Sequence, residues 1–370
     1  MPAAERLNEY LPMLQGKRVA LLINQTSRVG NTLLADTLQK RGVNLVRLFV
    51  PEHGFRGTAD AGADVSGGKD AATGLPIVSL YGDQKKPTAA QLSDVDILVY
   101  DLQDVGVRFY TYISTLQYAM EACAENGRQL IILDRPNPNG YYVDGPVLEH
   151  ENRSFVGMQA IPVVYGMTPG EYAQMLTGER WYTGAARLSL QVVPCSGYTH
   201  SAHYSLPVAP SPNLRTDAAI ALYPSLCFFE GTVISVGRGT DKPFQQWGHP
   251  SFHLYPEGKT NFTPKAGPGA SKPLYEGQNC QGILVAETVE QAREFVNGHL
   301  QVLPLMTAYG WYPDKKNFFN PFFEKLAGTK LLRRQTEQRM SPEAIRASWK
   351  PGITAFKKVR KKYLLYKDFE

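Results

Sequence analysis

The stretch Val46–Gly57, VRLFVPEHGFRG, decides the fold class of this 370-residue chain. It begins as an apolar run typical of a buried strand and stops at Pro51. Three polar residues follow at once, namely Glu52, His53 and Arg56. Proline and glycine bend the backbone here, so these side chains leave the sheet instead of continuing its pleat. The pattern predicts a strand whose carboxyl end presents a carboxylate, an imidazole and a guanidinium.

Strand and helix patterns alternate over the first 150 residues. The predicted strands are KRVALLIN (17–24), NLVRLFV (44–50), LPIVSLYG (75–82), the start of VDILVYDLQDVG (95–106) and RQLIILDRP (128–136). The predicted helices NTLLADTLQKRG and TYISTLQYAMEACAENG have apolar residues at helical spacing and end at Gly42 and Gly127. Such alternation predicts an α/β domain with a parallel sheet and helices on both faces. Ligands of these sheets bind outside the carboxyl ends of the strands.

The alternation weakens beyond GPVLE (145–149), which predicts a second, α+β domain over residues 151–370. TPGEYAQMLTGE (168–179) and ETVEQAREFVNGH (287–299) predict helices, the first with Thr168 as its N-cap. LSLQVVP (188–194), GTVISVGRG (231–239) and QGILVA (281–286) predict strands. A cleft between the two domains is the expected binding site.

Composition excludes several classes of protein. The net charge of +5 is scattered apart from a cluster at 357–362, so no nucleic-acid partner is expected. The four cysteines form no CxxC and the histidines no HExxH, so no metal site is expected. No apolar run is long enough to span a membrane. The first residues lack the apolar centre of a signal peptide, which leaves two expectations: export with a leader absent from this sequence, or a cytoplasmic protein.

The carboxylates are the candidates for acid–base chemistry. A carboxyl group at the mouth of an apolar strand is partly desolvated, which raises its pKa and suits Glu52 to act as a general acid. In DLQDVGVRFYTY (101–112), Asp101 and Asp104 precede Arg108 and Tyr110, a pattern that favours acid–base work, metal binding or sugar recognition. The structural alternatives are a Glu–Arg pair that fixes a loop, and an Asp104 that caps the next helix.

Two loops of the second domain add polar candidates. LPVAPSPNLRT (206–216) contains Asn213 and Arg215, and VISVGRGTDKPF (233–244) contains Arg238 and Thr240. Glycines on both sides of Arg238 allow a ligand to approach the backbone closely, although ordinary turn chemistry explains each loop as well. Neither GxxxxGK[ST] nor GxGxxG is present, so no nucleotide cofactor is expected.

Six ordered motifs together resemble the bacterial exo-β-N-acetylmuramidases, a glycoside hydrolase family formerly classed as a domain of unknown function. The motifs are LLINQTS, FVPEHGFRG, VYDLQDVGVRFYTYI, LDRPNPNG, PSPNL and VGRGTDKPF, and the resemblance extends from about Arg18 to the C-terminus. It implies a Rossmann-like catalytic domain (1–150), a smaller C-terminal domain (151–370) that completes the cleft, and no cofactor. The implied activity is release of N-acetylmuramic acid from the non-reducing ends of peptidoglycan fragments, in cell-wall turnover.

The same resemblance implies roles for individual residues. Glu52 is the implied catalytic acid that protonates the departing glycosidic oxygen, and His53 and Arg56 orient it or contact the substrate. The second catalytic group is left open between Asp104, Asp101 and the sugar's own acetamido group.

Substrate contacts follow from the chemistry of the implied saccharide, which joins N-acetylmuramic acid to N-acetylglucosamine. Its lactyl carboxylate calls for a forked cation, for which Arg108, Arg215 and Arg238 are candidates. Further candidates for binding its hydroxyl and acetamido groups are Asn24, Gln25, Tyr110, Asn213 and Thr240. The alternative function is a non-catalytic cell-wall-binding protein; the missing glycine motifs disfavour a third, nucleotide-dependent enzyme.

Overall fold

The computed structural model describes residues 1–51, 68–254 and 260–370. Its strands are β1 (Val19–Ile23), β2 (Arg28–Val29), β3 (Thr32–Leu33), β4 (Leu45–Val50), β5 (Ile77–Ser79), β6 (Ile97–Asp101), β7 (Gln129–Leu133), β8 (Ser189–Val193), β9 (Gln246–His249), β10 (Thr260–Phe262) and β11 (Cys280–Leu284). Its α-helices are α1 (Leu7–Leu14), α2 (Leu34–Lys40), α3 (Ala89–Leu92), α4 (Tyr112–Asn126), α5 (Pro169–Gly178), α6 (Asp217–Leu226), α7 (Val289–Val296), α8 (Leu303–Trp311), α9 (Phe323–Ala327), α10 (Leu331–Glu337) and α11 (Pro342–Arg360).

Six strands form one parallel sheet in the order β5-β4-β1-β6-β7-β8. Every residue of β1 and β6 is buried, which explains why β1, and β6 up to Asp101, are apolar, since a sheet covered on both faces has no polar side. The predicted parallel α/β sheet is confirmed. LSLQVVP forms β8 as predicted but joins this sheet, beyond the predicted boundary at residue 150. That boundary stays a prediction, and we call residues 1–193 the sheet half and residues 194–370 the second half.

The alternation of side chains along each strand divides the apolar residues between two cores. Ala20 and Leu22 of β1 face a large core that continues into the second half, while Val19, Leu21 and Ile23 face a smaller core on the other side. The helices begin and end where local chemistry predicts. Thr168 caps α5 through a capping box, and α4 ends at Gly127 in the left-handed conformation (φ 61°).

The second half contains the antiparallel sheet β10-β11-β9 and helices α6 to α11. The predicted strand in GTVISVGRG is wrong, since this segment forms only isolated bridges, at Thr232 and Ser235. Gly237 and Gly239 both have φ of 79°, and the amide of Thr240 donates back to the carbonyl of Gly237. The backbone therefore turns here, which an extended strand cannot do.

Residues 360–368 return to the sheet half. The Tyr366 hydroxyl donates to Asp134 (2.5 Å), the Leu365 amide donates to Glu171 (2.8 Å), and the Arg360 Nε donates to the Gly166 carbonyl (2.9 Å). Asp134 directly follows β7. The polar groups at this end of the sheet are thus satisfied by a segment distant in sequence. No helix in the three described ranges is long and apolar enough to cross a bilayer.

Candidate active site

A cavity of about 420 Å³ lies where the two halves meet. Residues that follow the carboxyl ends of β5 and β6 form one wall, as expected for a parallel sheet, and loops of the second half form the other. We call it the central cavity. Its lining is Tyr81, Gly82, Lys85, Phe109, Tyr110, Thr111, Tyr112, Phe155, Val156, Ser211, Asn213, Leu214, Tyr223, Glu230, Arg238, Phe244 and Phe322.

The strand that precedes the PEHGFRG motif ends beside this cavity. Val50, the last residue of β4, pairs with Ser79 of β5, and Tyr81 two residues later lines the cavity. Pro51 is buried. Glu52, His53 and Arg56 themselves lie outside the described residues, so their roles stay predictions.

Tyr110 and Gln25 fix the loop that brings Asn213 to the cavity. The Tyr110 hydroxyl donates to the carbonyl of Pro210 (2.9 Å), and the Gln25 amide donates to the carbonyls of Ala209 and Pro210 (3.1 and 3.2 Å). Burial, with neighbouring tyrosines, raises the pKa of Tyr110 well above its usual value, so the hydroxyl stays neutral. Tyr110 thus lines the cavity with its ring, while Gln25 lies behind the loop.

Asn213 offers the cavity an unused acceptor. Its amide nitrogen donates to the carbonyl of Gly269 (2.7 Å), whereas its buried Oδ1 has no hydrogen-bond partner among the described residues. Leaving such an acceptor unsatisfied costs about 1–3 kcal/mol, so a donor that reached this oxygen would be bound favourably. Asn24 has no such unused acceptor. Its amide nitrogen donates to the Tyr112 hydroxyl (2.8 Å), and its amide oxygen accepts from the hydroxyl and the backbone amide of Thr26 (2.6 and 2.9 Å).

Glu230 and Arg238 form an ion pair in the cavity wall. Arg238 donates from Nε to Glu230 Oε1 (2.5 Å), and its guanidinium lies 5.2 Å from the Phe244 ring centroid. Burial disfavours the charge on Arg238, but the carboxylate of Glu230 outweighs it and the pKa of Arg238 is raised. Among the described lining residues, Glu230 is the one with a carboxylate. Glu230 is not among the residues predicted from the sequence, although a lone acid in the apolar run LCFFEG was an available signal.

Asp101 and Asp104 lie beneath the cavity and do not line it. Both oxygens of the fully buried Asp101 accept hydrogen bonds from Arg135 (2.5 and 2.9 Å). Asp104 is 1% exposed, and its Oδ2 accepts from the Tyr165 hydroxyl and from the Gly106 amide. Burial raises the pKa of Asp104 to about 6. The structure therefore does not bring these two carboxylates together with Asn213 and Arg238.

Arg108 joins the two halves of the protein instead of facing the cavity. It is fully buried and donates to the carbonyls of Pro146 and Ile161 in the sheet half and of Leu326 and Ala327 in the second half, at 2.7–2.9 Å. Burial lowers the pKa of Arg108 to about 9. Both Nη groups of Arg108 already donate to these carbonyls, so they are not available for a two-pronged hydrogen bond to a substrate carboxylate.

Of the three arginines predicted to bind a carboxylate, Arg238 is the one that the structure places at the cavity. Arg215 is exposed, and its Nε donates to the carbonyl of Pro212 (2.6 Å). Thr240 closes the turn that carries Arg238, because its hydroxyl donates to the carbonyl of Gly237 (2.6 Å). Within the described ranges no group of three potential metal-ligating side chains occurs.

Comparison with known proteins matches both halves. A family model described as Exo-beta-N-acetylmuramidase NamZ, N-terminal, covers residues 19–218, and its C-terminal counterpart covers residues 221–366. The peptidoglycan beta-N-acetylmuramidase NamZ of Bacillus subtilis is 40% identical over 382 aligned positions, which include 97% of this chain and 89% of that protein. A DUF1343 family protein from Bacteroides fragilis has a crystal structure with a TM-score of 0.91 at 45% identity, covering 100% of this chain and 99% of that one. A second protein of that family from the same organism gives 0.80 at 31% identity, covering 99% and 98%.

Proposed function

This chain belongs to the exo-β-N-acetylmuramidase family, and on that basis we propose that it hydrolyses N-acetylmuramic acid from the non-reducing ends of peptidoglycan fragments. The central cavity is the observation that supports this most directly. At about 420 Å³ it has the size of a small-ligand site. Its aromatic side chains provide flat apolar surfaces for the faces of a sugar ring.

Hydrolysis of a glycosidic bond needs an acid for the leaving oxygen and a second group for the charge that develops at the anomeric carbon. We assign the acid to Glu52, because the family motif carries it and because β4 ends beside the cavity wall. For the second group, the geometry favours Glu230 over Asp101 and Asp104, since those two are engaged by buried partners outside the lining. The sugar's acetamido group is the competing candidate.

Recognition of N-acetylmuramic acid follows from Arg238 and Asn213. The Nε of Arg238 is committed to Glu230, which leaves its two Nη groups to bind the lactyl carboxylate as a fork. The unpartnered Oδ1 of Asn213 would accept from the acetamido N–H. Both contacts distinguish this sugar from a hexose that lacks these groups.

A chromogenic N-acetylmuramic acid glycoside tests the activity beside its N-acetylglucosamine equivalent. We expect release from the first, and a fall in kcat of about a hundred- to ten-thousand-fold in Glu52→Gln with binding retained. A non-catalytic cell-wall-binding protein would show no turnover to lose. Release from the N-acetylglucosamine compound alone would reject the proposal.

Glu230→Gln tests the second group. We expect kcat to fall at least about a hundredfold, because the amide cannot stabilise positive charge. The matched control is Glu287→Gln, since Glu287 also forms an ion pair, with Lys242, but lies outside the cavity. If Glu230→Gln and Glu287→Gln turn over at the same rate, the acetamido group is the better assignment.

A further inference from the structure

A second cavity, of about 610 Å³, lies beside the central cavity. The residues that matter for its chemistry are Tyr118 on α4, Arg153 and Ser154 between β7 and α5, and Arg180 and Trp181 just after α5. We call it the distal groove.

One stack of aromatic rings separates the two cavities. Phe155 lines the central cavity and Tyr118 lines the distal groove; their rings are nearly parallel (12°) with centroids 6.0 Å apart. Lys85 of the central cavity has its Nζ 5.4 Å from the Phe155 centroid. The two cavities are therefore neighbours, with this aromatic pair at their boundary.

The distal groove contains two arginines that are not engaged in ion pairs. Arg153 and Arg180 are exposed, and neither forms an ion pair within the described part of the chain. Glu121, the acid in this lining, is already paired with Lys86 (3.4 Å) and accepts from Gln117 (3.0 Å). An unpaired guanidinium beside a half-buried aromatic ring suits a ligand that combines a carboxylate with a sugar face.

One further observation points to a ligand, and another supplies the test. The Oγ of Ser154 is buried in this lining without a hydrogen-bond partner among the described residues. Arg180 has φ of 56°, at the position after α5 where helices usually carry glycine, and its amide closes the helix on Thr177 (3.2 Å). Glycine at this position removes the guanidinium without adding backbone strain.

We propose that the distal groove binds the carboxylate-bearing saccharide units that continue the glycan beyond the scissile linkage. Arg153 and Arg180 bind the lactyl carboxylate of the next N-acetylmuramic acid, and Trp181 and Tyr118 pack against the sugar rings. This inference rests on the proposed function, since it assumes that the terminal sugar occupies the central cavity.

Arg180→Gly tests the groove without harming the fold, because glycine relieves the strain at this position. On a tetrasaccharide of alternating N-acetylmuramic acid and N-acetylglucosamine we expect KM to rise about tenfold. On the corresponding disaccharide, which does not reach the groove, we expect no change. The matched control is Arg339→Gly, because Arg339 has the same conformation (φ 54°) after α10 and lies outside both cavities.

A modified substrate identifies the group that is bound. If the internal lactyl carboxylate of the tetrasaccharide is converted to an amide, the KM of the wild-type protein should rise by the same factor of about ten. The KM of Arg180→Gly should not rise further. Trp181→Ala should weaken binding of both forms. An unchanged KM for the tetrasaccharide in Arg180→Gly, or an equal loss on both substrate lengths, would overturn the proposal.

A direct binding measurement tests the distal groove independently of whether the protein hydrolyses the saccharide. Calorimetry with the tetrasaccharide, in a Glu52→Gln background that blocks turnover, should show a Kd about tenfold weaker for Arg180→Gly. If wild type hydrolyses neither saccharide, the proposed function is lost while the binding difference still decides on the groove.

Discussion

Replacing Asp104 by Asn should remove a pH dependence from the stability of the protein. Burial raises the pKa of this carboxyl from 3.8 to about 6, against the opposing hydrogen bonds from Tyr165 and from the amides of Val105 and Gly106. Between these values the unfolded chain has lost a proton that the native protein keeps, so the free energy of unfolding falls as the pH rises from about 4 to 6. At about 1.4 kcal/mol for each pH unit between the two pKa values, the free energy of unfolding falls by about 3 kcal/mol at most.

Asn removes this titration but adds unsatisfied donors. Its amide oxygen can take the place of Oδ2, which accepts from Tyr165 and Gly106, while its amide nitrogen puts N–H donors at the position of the buried Oδ1, which has no partner among the described residues. Those donors lower the free energy of unfolding by about 1–3 kcal/mol at every pH. Relative to wild type, we therefore expect the variant to gain up to about 3 kcal/mol between pH 4 and pH 8. Asp134 has a similarly raised pKa, of about 6, but is present in both proteins and cancels in the difference.

Urea unfolding at a series of pH values measures this difference, and hydrolysis assays on the same samples test the catalytic alternative. Parallel stability profiles for the two proteins would refute the buried, protonated carboxyl. A fall in kcat of a hundredfold or more at retained stability would instead place Asp104 in the chemistry.

Three smaller changes test the joint between the halves and the cavity wall. Arg108→Lys should lower the free energy of unfolding in urea by at least about 2 kcal/mol, because one ammonium cannot reach all four carbonyls. Gly328→Ala should cost more than Gly298→Ala, by about 1–2 kcal/mol. Both have positive φ, but only at Gly328 would a Cβ lie 2.5 Å from the Arg108 guanidinium, whereas Gly298 has open space. Tyr110→Phe should raise KM several-fold and leave kcat within about twofold, because the lost hydroxyl only holds the Pro210 carbonyl; a large loss of kcat would show a direct role.

Much of the sheet half was predictable, because its determinants are local. The five-residue strand β1 is apolar throughout, and β6 is apolar up to its last residue, Asp101, which is typical of a strand covered on both faces. The caps at Thr168 and Gly127 depend on side chains a few residues apart or on the backbone of a single glycine. Such features can be recognised before any tertiary contact is known.

The candidate site was harder to predict, because its geometry depends on contacts distant in sequence. Arg108 follows a strand end as a substrate-binding residue would, but carbonyls of Leu326 and Ala327 bind it from over two hundred residues away. Glu230 lies in an apolar run that suggests core, and its role as a cavity carboxylate depends on the turn that brings Arg238 to it. Contacts of this kind, between residues brought together only by the tertiary fold, cannot be recognised from a local sequence pattern.

The return of residues 360–368 to the sheet half adds a second set of donors to buried carboxyl groups. Asp134 already accepts from Thr168 and Gly170, and Glu171 from Thr168, before Tyr366 and Leu365 donate to them. A chain shortened to residue 359 would therefore keep a partner on each carboxyl and lose only the added ones. We expect such a chain to be less stable but still folded.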